Sequence, residues 1–157
     1  MLRAACAPPP RQQGFTLSEL LLALGVLALL ATAALPPLAE ALHRARRLDA
    51  IAALYAVQLA QERHRGGAGA YTPDLSLLGW PEGLSPSGAY RLEVPHASPT
   101  GYLLVARARP GGSQSGDARC GVLALQVEGG VSARGSACAG CEPAQPLIDT
   151  HRCWSER

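Results

Sequence analysis

Glu19 is the side chain with the most chemistry to explain. It heads an apolar run, residues 20–39, that holds no other ionisable group. A carboxylate against hydrocarbon is costly to leave unpaired and by default marks a functional position. Before it comes Gly14-Phe15-Thr16-Leu17-Ser18, and before that a short leader with Arg3, Arg11 and no carboxylate. Cysteine is the second reactive type. Cys6 lies in the leader, whereas Cys120, Cys138, Cys141 and Cys153 crowd the C-terminal third. Four cysteines there read as two disulfides made in an oxidising compartment, with three pairings open. Cys138-Ala-Gly-Cys141 reads as a small loop staple, because a redox pair wants this spacing at a helix start in a βαβ unit, and the pattern shows neither. Zinc held by Cys138, Cys141, Cys153 and His151 is the competing reading; export argues against it, and no metal is expected. His43, His64, His96 and His151 are scattered, and the sequence contains neither a nucleophile motif nor a phosphate loop. The expected role is therefore not enzymatic, and no cofactor is implied.

The elements that must position these groups follow from periodicity. As a helix rising about 1.5 Å per residue, residues 20–39 match the ~30 Å core of a bilayer. Pro36 and Pro37 sit near the far end of that run. Proline removes a helix hydrogen bond and crowds the preceding turn, so a kink is expected there; the helical pattern resumes at once, which argues against a stop. Beyond it Leu38, Ala41, Leu42, Ala45, Leu48, Ala52, Tyr55 and Leu59 recur at three- and four-residue steps. That predicts a helix with one apolar stripe for a sheet to cover. Gly66-Gly67 should end it. Residues 66–89 read as a loop anchored by Tyr71, Leu75, Leu77, Leu78 and Trp80. Residues 90–94, 102–108, 122–127 and 131–133 read as strands, the last two joined as a hairpin through Glu128-Gly129-Gly130. Short connections point to an antiparallel meander. Residues 110–119 form an exposed loop and residues 135–157 a stapled tail. The fold class is α+β. A rival for the N-terminal part is an ordinary secretory signal, with residues 20–30 as its apolar core and Ala31-Thr32-Ala33 as its cleavage site. It would remove the apolar run and leave a free, stapled domain.

Gly14-Phe15-Thr16-Leu17-Ser18-Glu19 with its apolar run resembles the processing signal of type IV prepilins and the related pseudopilins. Gly69-Ala70-Tyr71 with Leu78-Gly79, and Cys120-Gly121-Val122-Leu123 with a final Cys153-Trp154, resemble the PilE-like type IV pilins. The resemblance implies the pilin fold: a long kinked N-terminal helix on a roughly four-stranded antiparallel sheet with a disulfide-stapled C-terminal tail. It implies a leader over residues 1–14, a membrane and assembly segment over 15–39, and a head over 40–157. A prepilin peptidase would cut between Gly14 and Phe15, and Phe15 would then be N-methylated. Glu19 would pair with the charged N-terminus of Phe15 on a neighbouring subunit and so set the register of the fibre. Cys120 would pair with Cys153, leaving Cys138 to Cys141. The implied partners are the peptidase, other pilin subunits and the inner-membrane assembly platform. The subunit would wait in the inner membrane as a single-pass protein, head in the periplasm, before joining the fibre at the cell surface. The Asp-Pro-Trp-Gly-like segment usual in major pseudopilins is missing and the C-terminal staples are present, which favours a pilus subunit, expected as a minor pilin, over a type II secretion pseudopilin.

Charge bounds the partners further. The chain has 14 Arg and no Lys, 12 acidic residues and a formal charge of +2. With Arg3 and Arg11 removed, the mature chain is neutral, so binding to DNA would need a local patch. Arg107, Arg109, Arg119, Arg134 and Arg152 are the candidates for a receptor that takes up DNA. The plainer reading is a solvated face in which Glu93, Asp117 and Glu128 neutralise them.

Overall fold

A computed structural model of the protein describes residues 14–149 and 152–155, apart from the side chains of residues 33–37. Residues 1–13 of the leader therefore lie outside the described residues, as does His151. The chain divides into two compact units, Met1–Ala39 and Glu40–Arg157. A single helix assignment, α1 (Leu17–Ala68), runs through both.

In the first unit, Thr16 starts the helix. Its hydroxyl accepts the Glu19 backbone N–H at 3.3 Å, and Glu19 Oε2 accepts the Thr16 N–H at 2.8 Å. This is a reciprocal capping box, in which two helix-end donors find partners. The apolar side chains on either side of this cap stay exposed, among them Phe15 at 85% and Leu29 at 74%. Among the described residues no helix is long and apolar enough to cross a membrane; the side chains of residues 33–37, inside the apolar run, are outside that set. The kink expected at Pro36 and Pro37 falls on those same residues.

In the second unit, four strands form one antiparallel sheet in sequence order: β1 (Tyr90–Ala97), β2 (Gly101–Ala108), β3 (Val122–Glu128) and β4 (Val131–Ala137). β1 runs past Pro95 because the register shifts between Glu93 and His96; an edge strand with a bulge tolerates a residue that cannot donate to the ladder. Alternation then sorts the side chains. Tyr90, Leu92, Tyr102, Leu104, Leu123 and Leu125 enter one core with the helix. Val105, Val122, Ala124 and Ala137 form a second, smaller cluster on the opposite face, covered by Leu147 from the tail.

The helix meets the sheet with a face other than the expected one. Ala50, Ala53, Leu54 and Val57 are buried, whereas Leu38, Leu42, Leu48, Tyr55 and Leu59 are 42–57% exposed. α1 carries two apolar stripes about half a turn apart. Spacing does not distinguish them. The sheet takes the stripe whose small alanines leave room for Tyr90 and Tyr102, which are fully buried. Gln61 confirms that face, since its amide donates to Thr72 O at 2.6 Å and accepts from Thr72 N at 3.0 Å. Both bonds clamp the following loop to the helix.

The tail closes the second unit. Cys120 is bonded to Cys153 and Cys138 to Cys141. With all four cysteines in disulfides, the zinc reading has lost its thiolates. Gly121 is needed where the tail crosses, because a Cβ there would stand 2.4 Å from Ala139 Cα. Asp149 ties the last turn down, accepting from Ser136 Oγ, Cys153 N and Trp154 N. Trp154 Nε1 donates to Gly135 O on β4, so the tail covers an edge strand that would otherwise be open to pairing.

Candidate functional site

Glu19 is held at the head of α1 by its own helix. Oε2 accepts both the N–H and the hydroxyl of Thr16, each at 2.8 Å. Among the described residues Oε1 accepts no hydrogen bond, so one oxygen of the carboxylate stays available to an outside cation. The Thr16-Leu17-Ser18-Glu19 spacing is itself a capping-box signature, readable from the sequence alone.

The five arginines nominated as a basic patch do not lie together. Arg134 donates to Tyr55 Oη at 3.3 Å. The other four divide between two clusters, and each cluster adds arginines that were not nominated.

The first cluster is on the outer face of the sheet. Arg91 and Arg107 are partners across β1 and β2, and with Arg109 they line a cavity of about 280 Å³. Like charges placed opposite on neighbouring strands repel. Arg107 is answered by carboxylates: Glu93 at 3.1 Å and Glu142, from the tail, at 2.7 Å. The Glu142 hydrogen bond raises the Arg107 pKa further above its ordinary value. Arg109 donates only to a carbonyl, Gly88 O, and exposed Arg91 makes no ion pair among the described residues. Arg91 could have been found from the sequence: in Tyr90-Arg91-Leu92-Glu93 it alternates with two core residues.

The second cluster lies against α1 and the Cys120–Cys153 disulfide. Arg44, Arg47, Arg119 and Arg152 line a cavity of about 540 Å³ with Glu40 and Asp117. Its floor is tightly bonded. Buried Gln114 donates to His43 O and Asp117 Oδ2, and its Oε1 accepts from His43 Nδ1. Arg47 reaches Glu40 at 3.0 Å. Its Nε stands 3.0 Å from Asp117 Oδ2, yet the N–H points off that line and makes no hydrogen bond. The pairing is therefore one of charge more than of geometry. Tyr90 braces the site by donating to Cys120 O at 3.0 Å. Burial first, and then the Asp117 charge, push its phenol well above the usual range, so it stays a neutral donor. Exposed Arg119 and Arg152 have no carboxylate partner among the described residues.

Two family profiles match the chain. One, described as the prokaryotic N-terminal methylation motif, matches residues 9–35. The other, described as type IV minor pilin ComP, DNA uptake sequence receptor, matches residues 36–124. No curated protein matches the chain.

Proposed function

The chain belongs to the type IV minor pilins, in the family described as ComP, DNA uptake sequence receptor, and on that premise we propose that it carries DNA on the pilus. The observation behind this is the outer sheet face, where Arg91 and Arg109 flank an already neutralised Arg107. Two guanidiniums held at the rim of one strand pair can each take a phosphate of the DNA backbone, which positions a duplex without reading its sequence. The test is binding of a short duplex by the full chain in neutral detergent, measured at rising salt. Affinity should fall with a log–log slope of about −1 per phosphate neutralised. Absence of binding at low salt would remove the receptor reading and leave the fibre subunit.

The same reading gives the N-terminal residues their roles. Prepilin peptidase cuts between Gly14 and Phe15, and the new amino group of Phe15 is methylated. Residues 15–39 anchor the subunit in the inner membrane as a single pass, with residues 40–157 in the periplasm, until the assembly platform adds it to other pilins in the fibre. Glu19 contributes through Oε1, which accepts the charged N-terminus of a neighbour's Phe15 while Oε2 keeps its bonds to Thr16. Leaving that carboxylate unpaired in an apolar bundle costs several kcal/mol. Glu19→Ala should be cleaved normally but be missing from sheared fibres; wild-type amounts there would defeat the assembly role.

A further inference from the structure

The helix-side cavity holds charge that the fibre and DNA readings leave unused. Four guanidiniums meet two carboxylates in it. Glu40 and Asp117 are spent on Arg44 and Arg47, so among the described residues Arg119 and Arg152 are left over. Arg152 is also held at φ 53°, a left-handed conformation that a non-glycine residue adopts at a cost. A second cavity, of about 300 Å³, adjoins the first and shares Arg44 and Arg47 with it. Its other walls are Leu48, Ser155 and Cys153 of the disulfide. Leu48 is 46% exposed beside these cations. A surface that offers guanidiniums and a bare leucine together suits a ligand with an anionic head and an apolar body.

We infer that this double cavity binds the phosphate headgroup of an anionic phospholipid, with its glycerol and first acyl carbons over Leu48. The inference rests on the membrane-anchored reading above. If residues 20–39 are in the bilayer, Arg44 follows Ala39 by five residues. A chain reaches at most about 18 Å over that distance whatever its conformation, so the cavity cannot leave the neighbourhood of the headgroups. Duplex DNA has the phosphate but nothing for Leu48. The paired cavities are also recessed, whereas a duplex asks for an extended face. Each Arg near an anionic surface adds attraction of a magnitude worth about fivefold in affinity.

The test uses the full chain in neutral maltoside micelles, titrated with short-chain dihexanoyl phosphatidylglycerol and followed by amide shifts of residues 116–120 and 153–155. Binding should saturate at one site. Dihexanoyl phosphatidylcholine and glycerol 3-phosphate should bind at least about fivefold more weakly, lacking net charge and acyl chains respectively. Arg119→Gln and Arg152→Gln should each weaken the anionic lipid about fivefold and leave DNA affinity unchanged, whereas the paired change to Lys should keep most of the binding. Both arginines are exposed, and circular dichroism with intact disulfides verifies the fold of the variants. Equal binding of glycerol 3-phosphate would make this a plain phosphate site and overturn the proposal. So would loss of DNA affinity in the Gln variants with lipid affinity unchanged. Flotation with vesicles of phosphatidylcholine alone tests the anchor separately. A chain that fails to float lacks the premise, whereas one that floats but ignores phosphatidylglycerol refutes only the headgroup site.

Discussion

The outer sheet face and the helix-side cavity gather the same residue type by different means. On the outer face, β-strand register is sufficient: Arg91 lies opposite Arg107, and Arg109 follows two residues later. In the helix-side cavity the arginines come from α1, from the loop before β3 and from the tail. Arg44 and Arg152 are brought together by a tail that the Cys120–Cys153 bond ties down across a separation of 33 residues. A site made by register should survive the loss of tail contacts, and a site made by a staple should not.

Removing the long staple is the strongest way to break this contrast. Cys120→Ser with Cys153→Ser should cost about 4 kcal/mol of stability, whereas Cys138→Ser with Cys141→Ser should cost about 2, because the loop released is shorter. Denaturant titration measures both. The long-staple variant should lose the helix-side cavity while keeping salt-sensitive DNA binding at low temperature; loss of both together would show that the sites are not independent. Asp149→Ala is a milder version. It removes the acceptor of Ser136, Cys153 and Trp154 and should cost about 2 kcal/mol, with hydrogen exchange quickening in the tail and the helix-side loop but not in β1 and β2.

Smaller changes sharpen the outer face. Glu142→Gln removes the 2.7 Å partner of Arg107. It should steepen the salt dependence of DNA binding by about one unit, as one more phosphate is taken up. Arg91→Gln should flatten that slope by about the same amount. No change of slope in either variant would move the DNA away from this face.

Parts of this molecule were legible before any coordinates. Glu128-Gly129-Gly130 marked the last hairpin, and the runs at residues 90–94 and 122–127 marked strands by alternation, because a strand's faces are written in a period of two. The front motif and the late cysteines carried the pilin resemblance on which the disulfide pairing was proposed. The apolar stripe of α1 was misread. Leu48, Tyr55 and Leu59 have helical spacing, yet Ala50, Leu54 and Val57 have it too, and the second set is buried. The basic patch failed for a related reason: Arg107 and Arg119 are close in sequence but go to different clusters.

The sequence by itself determined what repeats along the chain: the capped helix start, the apolar run, the strand order and the residues able to form staples. Only the tertiary structure decided which helix stripe meets the sheet and which arginines, among the described residues, remain without a carboxylate. Periodicity is a property of neighbours in the chain. Fit against Tyr90 and Tyr102, and neutralisation by Glu142 or Asp117, depend on residues brought from far away, and their outcome is set when those surfaces pack.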